Sequence, residues 1–156
     1  MILHNFKIDS ILREKSSSVY FVNEADSVSS AISLMNRAKI GSVMVLHDHQ
    51  YNGIFTERDV LTRVLAEKLD PDKTVVRDVM TRDYVSIDEN YTLEETMRLM
   101  TQSRVRHLPV FHKTLLIGMV SIGDVTRKLL ELNQNEAESL RQYIFSGYSG
   151  WKLNET

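Results

Sequence analysis

The sequence predicts an α/β (α+β) fold made of tandem β-α-β-β-α repeats that pack about a pseudo-twofold axis. Three observations support this: an internal repeat, a shared order of apolar patterns in its two copies, and a short connection between them. A shift of 65 residues aligns residues 19–67 with residues 84–132 without a gap. It places Leu34, Val45, Gly53, Asp59 and Leu65 on Leu99, Val110, Gly118, Asp124 and Leu130.

The first copy shows the five elements in order. Residues 19–22 are rich in residues that favour strands. Asp26 or Ser27 can cap a helix whose apolar residues recur at helical spacing. The continuous apolar run "SVMVL" predicts a buried strand, "GIFT" predicts another after a polar turn, and a helix follows over about 57–68.

The second copy repeats this order. Thr92 and Glu95 form a capping box before the next apolar helix. "LPVF" and "GMVS" supply the strands, and Pro109 indicates an edge strand or an irregular strand start. A helix then runs from Gly123 to about residue 132.

These elements divide the chain into a first domain at 8–68, a second domain at 76–132, and a C-terminal helix with an aromatic tail at 133–156. The breaker Asp70-Pro71-Asp72 lies between the copies. Because the connection is too short for a flexible tether, we expect the copies to pack directly and share a core. In the tail, Leu140, Tyr143 and Ile144 could mark a short helix, and Tyr148 and Trp151 need a surface to pack against.

Composition narrows the function classes. The 156 residues carry a formal net charge of −2 and lack cysteine. We therefore expect no nucleic acid as a partner, no disulfide and no thiolate metal site. Without a secretory leader or a long apolar run, the expectation is a cytoplasmic protein with no membrane partner. His47 and His49 fall in a predicted turn and make a weak metal pair, so no metal is expected to be required.

A short motif marks the last strand-to-helix break of each copy. "GIFTERD" begins at Gly53 and "GMVSIGD" at Gly118; each has glycine, two apolar residues, Thr or Ser, two variable residues and Asp. A helix cap is one interpretation, since Thr56 or Ser121 can accept the backbone N–H three residues on. Equivalent positions in both copies favour a second interpretation as well.

That second interpretation is a nucleoside-phosphate site. A helix N-terminus offers free N–H groups and the positive end of its dipole to a phosphate. The hydroxyl of Thr56 or Ser121 adds a donor, and the carboxylate of Asp59 or Asp124 can accept hydrogen bonds from two vicinal ribose hydroxyls. The glycine before each strand permits close backbone approach.

The duplicated unit resembles a pair of cystathionine-β-synthase (CBS) domains, also called a Bateman module. The similarity covers roughly residues 8–132, and the whole chain resembles small bacterial stand-alone CBS-pair proteins. The segments that carry it are "GIFTERDV", "RDVMTRDYVSI", "RVRHLPV" and "GMVSIGDV".

The resemblance implies a set of ligand contacts. In the family, the matching aspartates bind ribose and the matching hydroxyl residues help to hold phosphate or ribose. The base lies in a slot of the opposing repeat, so Asp59 should work with the second-copy slot and Asp124 with the first-copy slot. The corner residues are Thr56, Arg58, Asp59, Ser121, Gly123 and Asp124; the slot residues are Tyr20, Val22, Ile40, Gly41 and Ser42 in the first copy and Val85, Ile87, Val105, Arg106 and His107 in the second.

The two copies differ at the predicted sites. Arg106 and His107 stand where the first copy has Gly41 and Ser42, and could bind phosphates directly. The family often fills only one of its two sites, and the sequence leaves open which one is filled here.

The functional hypothesis is a regulatory module, not an enzyme. It would bind an adenine nucleotide or dinucleotide (AMP, ADP, ATP or NAD(H)) and pass a conformational change to an effector protein or through a homodimer. Alternatives are an S-adenosylmethionine sensor and a structural dimerisation module without a ligand. An enzyme ranks below these because no nucleophile–base pair or ligand cluster is visible.

Overall fold

The computed structural model describes residues 5–15 and 18–148, with side-chain detail to residue 142. Its elements are α1 (Ile8–Lys15), β1 (Phe21–Asn23), α2 (Val28–Ala38), β2 (Ser42–His47), β3 (Gln50–Thr56), α3 (Glu57–Asp59) continued by a π-helix (Val60–Leu65), a 3-10 turn (Val76–Asp78), β4 (Ile87–Asp88), α4 (Leu93–Ser103), β5 (His107–His112), β6 (Leu115–Ser121) and α5 (Ile122–Tyr148).

Two three-stranded sheets confirm the predicted repeat. Their orders are β1-β2-β3 and β4-β5-β6, each with one parallel and one antiparallel pair. The register is shared: Val45 pairs with Gly53, and Val110 pairs with Gly118. Both sheets also shift register at the next residue, so the duplication extends to a local irregularity of the backbone.

Pro109 explains the one difference between the sheets. In the first copy, the Met44 N–H donates to the Tyr20 carbonyl over 3.0 Å. Pro109 is the equivalent residue and has no N–H to donate. Strand β4 accordingly pairs over two residues, whereas β1 pairs over three. The expected edge position is wrong, because β5 is the middle strand of its sheet, and β5 pairs with β6 in regular register through Pro109, so the effect of the proline is on the pairing with β4.

Each copy is completed by the segment that comes directly before the other copy in the chain. The core of the second copy includes Ile8 and Ile11 of α1, although the sequence places this helix in the first domain. Val76, Val79 and Met80, from the connection between copies, pack into the core of the first. The 65-residue offset relates these segments to each other, so the repeat begins earlier than its visible sequence similarity.

A smaller apolar cluster joins the two copies. It contains Met44, Ile54 and Leu116, all buried, and several partly buried aromatic side chains. The rings of Tyr51 and Phe111 meet edge to face at 5.7 Å. The hydroxyl of Tyr84 donates to the Tyr51 carbonyl over 3.3 Å. The copies therefore pack directly, as the short connection predicts. The expected shared core is wrong in its extent, because each copy has a main core of its own and only this cluster is common to both.

The C-terminal helix differs most from expectation. A helix ending near residue 132 and a separate short helix were predicted, but α5 continues without a break to Tyr148. Residues 133–146 contain no glycine or proline, so nothing interrupts the helical hydrogen bonding. Residues 133–142 are exposed, and the side chains of Tyr143, Ile144 and Tyr148, as well as Trp151, lie outside the described detail.

The last helix of the first copy is also irregular. The predicted helix over 57–68 begins with one α-helical turn and changes to π-helical bonding at Val60. It ends at Leu65, and Lys68 follows with a positive φ of 55°. A π-helical turn widens the backbone locally, and such turns occur frequently at functional sites.

Candidate functional site

Both motif corners are capping boxes. In the first copy, the Asp59 N–H donates to the Thr56 hydroxyl over 3.2 Å, and the Thr56 N–H donates to the Asp59 carboxylate over 2.9 Å. Ser121 and Asp124 repeat these bonds at 3.2 and 2.9 Å. The cap interpretation is therefore correct for both copies, and the boxes fix the position of each carboxylate.

Both carboxylates are nearly buried, and each lies at the wall of a cavity between the repeats. Asp59 is 5% exposed and Asp124 is 6% exposed. The first cavity has a volume of about 550 Å³ and the second about 620 Å³. Volumes of this size are typical of small-molecule sites.

The cavities pair the corner of one copy with the slot of the other. The corner of Asp59 faces the second-copy slot, and the corner of Asp124 faces the first-copy slot. Predicted residues that line the first cavity are Thr56, Arg58, Asp59, Val85, Val105, Arg106 and His107. Those that line the second are Tyr20, Ile40, Gly41, Ser42, Ser121 and Asp124.

Three predicted residues lie elsewhere. Within the described part of the chain, Val22, Ile87 and Gly123 line neither cavity. Val22 and Ile87 are buried in the two cores, because their strand positions point away from the slot. Gly123 is exposed at the start of α5, where a Cβ would meet only the Ser121 hydroxyl, at 3.6 Å.

Asp59 has one neutral hydrogen-bond donor and one more distant cation at its second oxygen. The Thr81 hydroxyl donates to Oδ1 over 3.0 Å. The Nε of Arg63 lies 3.5 Å from the same oxygen, while its NH1 donates to the Met80 carbonyl over 2.8 Å. The connection between the copies thus supplies part of the wall beside this carboxylate.

Asp124 has a charged partner. The Lys15 ammonium donates to Oδ2 over 2.7 Å, and NH1 of Arg127 lies 3.6 Å from Oδ1. Burial alone would raise the pKa of Asp124, but the Lys15 ammonium and the Ser121 donors outweigh it and hold the pKa below its ordinary value. This carboxylate is therefore ionised and paired.

His107 stands where the two cavities meet. It lines both of them, as does Gly41. Burial lowers the pKa of His107, and the nearby Glu57 carboxylate offsets this only in part. The imidazole is accordingly neutral near pH 7 and forms a common wall of both cavities.

Several cavity residues were not identified from the sequence. Lys15 and Thr81 come from the segments that precede each copy, and Arg104 is a helix C-cap with a φ of 54°. Extending the 65-residue offset upstream relates residues 8–16 to 73–81 and so would have added both residues to the repeated unit, but it gives no sign that either lies beside a carboxylate. The sequence did not mark Arg104 as a helix C-cap, because the left-handed residue that ends a helix is usually glycine.

Two further expectations concern metals and membranes. Among residues 5–15 and 18–148, no group of three or more His, Asp or Glu side chains has an arrangement suited to a metal ion. Over the same ranges, every helix is too short or too polar to span a bilayer.

Comparison with known proteins finds one family. The family model described as CBS domain matches residues 11–66 and 76–131. The mitochondrial CBS domain-containing protein CBSX3 of Arabidopsis thaliana is 34% identical over 128 residues, which are 79% of this chain and 62% of that protein. The protein YhcV of Bacillus subtilis is 33% identical over 118 residues, which are 76% of this chain and 80% of YhcV.

Solved structures agree with this result. A putative signal-transduction protein with CBS domains from Burkholderia ambifaria has a TM-score of 0.77 and 33% identity, covering 80% of this chain and 94% of that one. A hexameric CBS-CP12 protein from bloom-forming cyanobacteria has a TM-score of 0.72 and 25% identity, covering 90% and 85%.

Proposed function

The chain belongs to the CBS domain family, and on that premise we propose that it is a regulatory module that binds an adenine nucleotide between its repeats. The single observation that carries this proposal is the first cavity. There, a helix-capping hydroxyl and a nearly buried carboxylate from one copy face an apolar and cationic slot from the other. AMP, ADP, ATP and NAD(H) all contain the sugar, phosphate and base that these groups suit.

The ribose fits the carboxylate. Asp59 Oδ1 accepts its short hydrogen bond from the neutral Thr81 hydroxyl, a partner that can rotate. A ribose diol can then donate to the carboxylate without displacing a cation at hydrogen-bonding distance. The Thr56 hydroxyl lies beside it and can contact ribose or phosphate.

Phosphate fits the cations of the slot. Arg58, Arg104 and Arg106 all line the first cavity, together with the acidic residues Glu57 and Asp83. The Arg58 guanidinium already reaches the Arg104 carbonyl over 3.2 Å, across the boundary between the copies. One guanidinium group can bind two phosphate oxygens through parallel N–H bonds, so this arrangement favours an anionic ligand.

The base fits the apolar wall. Val85 and Val105 line the slot, and Ile54 and Leu61 lie on the opposing copy. A flat aromatic ring between these side chains would leave water for apolar surroundings, which stabilises the bound state. S-adenosylmethionine shares the adenosyl group but lacks phosphate, and binding tests separate the two classes.

The regulatory role rests on the position of the cavity between the copies. A ligand there contacts both repeats at once, so binding favours the packing that forms the cavity. The solved relative from Burkholderia ambifaria is described as a putative signal-transduction protein, which supports a role of this kind. An effector protein or a second subunit would detect the change in packing.

Self-association is part of the proposal. Leu61, Leu65, Ile122 and Leu130 are exposed apolar side chains on the last helices of the two copies. Exposed apolar side chains in this number favour an interface between copies of the chain. A hexameric relative shows that proteins of this fold do associate.

Thermal unfolding with ligands tests the function. AMP, ATP, NAD(H) and S-adenosylmethionine are compared with GTP, using the intact protein and the Asp59→Ala and Asp124→Ala variants. A ligand at 100 times its Kd should stabilise the folded state by about 2.7 kcal/mol. Loss of this stabilisation in Asp59→Ala, with no conversion of ATP on chromatography, supports a sensor over an enzyme.

A structural module without a ligand is the second candidate, and the capping boxes favour it. Both aspartates already accept bonds from their own caps. If the caps are their only role, Asp59→Ala lowers the free energy of unfolding by about 0.5–2 kcal/mol, and no nucleotide stabilises the intact protein.

A further inference from the structure

The two cavities differ in the residue that the repeat places beside each carboxylate. Lys15 is the last residue of α1, and its ammonium bonds Asp124 over 2.7 Å and the Met119 carbonyl over 3.2 Å. The 65-residue offset relates Lys15 to Met80, an uncharged residue near Asp59. The second cavity therefore contains a cation on its carboxylate that the first cavity does not have at the equivalent place.

We propose that Lys15 is a specificity-determining residue that occupies the ribose position of the second cavity, so that a nucleotide fills the first cavity in preference. This inference rests on the proposed function, because it concerns which of two nucleotide sites is used.

The hydrogen bonds of the two carboxylates support this assignment. Oδ2 of Asp124 accepts from the Ser121 N–H, the Ser121 hydroxyl and Lys15, at 2.9, 2.9 and 2.7 Å. Its Oδ1 faces the Arg127 guanidinium at 3.6 Å. Oδ2 therefore already accepts three hydrogen bonds, and a ribose diol that donates to it must displace the Lys15 ammonium.

In the first cavity, the protein groups that compete with ribose for the carboxylate of Asp59 are weaker. Among the described residues, Oδ2 of Asp59 accepts from the Thr56 N–H and hydroxyl, and Oδ1 accepts from the neutral Thr81 hydroxyl. Arg63 faces this Oδ1 at 3.5 Å as Arg127 faces that of Asp124 at 3.6 Å, so the two carboxylates differ in the ammonium of Lys15 at 2.7 Å. A charge-assisted hydrogen bond is about twice as strong as a neutral one. Displacing Lys15 from a nearly buried carboxylate should therefore weaken ribose binding about 10- to 100-fold relative to the first cavity.

Lys15 also connects the second cavity to α1. The preceding residue, Glu14, accepts hydrogen bonds from Lys128 of α5 at 2.7 and 2.9 Å. Two ion pairs thus hold the end of α1 against the second copy, while Ile8 and Ile11 lie in its core. Filling the second cavity requires the ion pair between Lys15 and Asp124 to break, which removes one of the two ion pairs that hold the end of α1.

The test uses a residue that the chain itself supplies. Lys15→Met introduces the residue type of Met80, which the 65-residue offset relates to Lys15. Asp59→Asn weakens ligand binding in the first cavity but keeps an oxygen that accepts from the capping N–H. Calorimetric titration with AMP is carried out on the intact protein, on each variant and on the double variant. Lys128→Met is the matched control, because it removes a neighbouring ion pair of α1 without touching Asp124.

The expected result is one AMP per chain in the intact protein and in Lys128→Met, and two in Lys15→Met. Asp59→Asn should bind AMP weakly, and adding Lys15→Met should restore binding by about 10- to 100-fold through the second cavity. If Lys15→Met does not fold, Lys15→Gln takes its place in the experiment and should likewise bind two AMP per chain. Equal filling of both cavities in the intact protein, or weaker AMP binding in the double variant than in Asp59→Asn, would overturn the inference. No AMP binding by any form would overturn the proposed function and this inference with it.

Discussion

The imidazole of His107 lies so close to Gly41 that any side chain at residue 41 would touch it. A Cβ built on Gly41 falls 2.9 Å from Cε1 and from Nε2 of His107, and 3.1 Å from the Glu57 carboxylate. Both residues line both cavities. The offset relates Gly41 to Arg106 and Ser42 to His107. The small Gly41 lies just before β2 and the large His107 begins β5, the equivalent strand, and the two residues meet between the cavities.

Gly41→Ala is expected to destabilise the protein. The added methyl must displace the ends of the His107 and Glu57 side chains, and because these ends can move we expect a cost at the lower end of the range for overpacking, about 1 kcal/mol. Urea unfolding measures the loss. Combining it with His107→Ser, the first-copy residue at the equivalent place, should recover most of it; simple addition of the two single losses would contradict the contact.

The half-buried His107 makes the stability of the protein depend on pH. Its pKa is lowered from 6.5 in the folded state, first by burial, so folding favours the neutral imidazole. Its contribution is therefore fully present above pH 6.5 and is lost as the pH falls through the lower folded pKa. The free energy of unfolding of the intact protein, minus that of His107→Gln, should fall between pH 7.5 and pH 5. A constant difference would contradict the predicted direction.

Two glycine substitutions should act in opposite ways. A Cβ on Gly53 would lie 2.9 Å from the Thr81 backbone carbonyl and 2.8 Å from the Met80 sulfur, because the connection between copies crosses the strand there. Gly53→Ala should cost about 1–3 kcal/mol. Gly123→Ala is its control: it adds a methyl in open space on α5 and should gain about 0.5–1 kcal/mol. Chemical unfolding compares them, and equal losses would contradict this packing.

Self-association should depend on the exposed leucines of the last helices. Leu130 on α5 is 56% exposed and Leu115 at the start of β6 is 61% exposed. Leu130→Glu is expected to shift the intact protein toward the monomer in sedimentation velocity, because a charge resists burial in an apolar interface. Leu115→Glu should leave the distribution unchanged. The same shift for both variants would point to general solubility instead.

Local sequence signals predicted the repeated unit well. The apolar runs of β2 and β5, the capping box of Thr92 and Glu95, and the two Asp corners all depend on residues a few positions apart. Each has a direct physical reason in its own segment, and each is found in the structure.

Long-range packing was not predictable in the same way. Placing Val22 and Ile87 in the slots failed because they belong to strands of only three and two residues, and pairing decides which way such residues point. Placement of α1 in the second core, and of Lys15 on Asp124, depends on contacts over 109 residues of chain. The length of α5 was missed because an exposed polar helix leaves no apolar pattern to read.

A structure of crystals soaked with AMP tests the central claim most directly. The account predicts the nucleotide in the first cavity, with both ribose hydroxyls on Asp59, the base between Val85 and Val105, and phosphate beside Arg106 or His107. AMP bound outside both cavities, or a soaked crystal in which Asp59 has no ribose contact although AMP binds in solution, would contradict it.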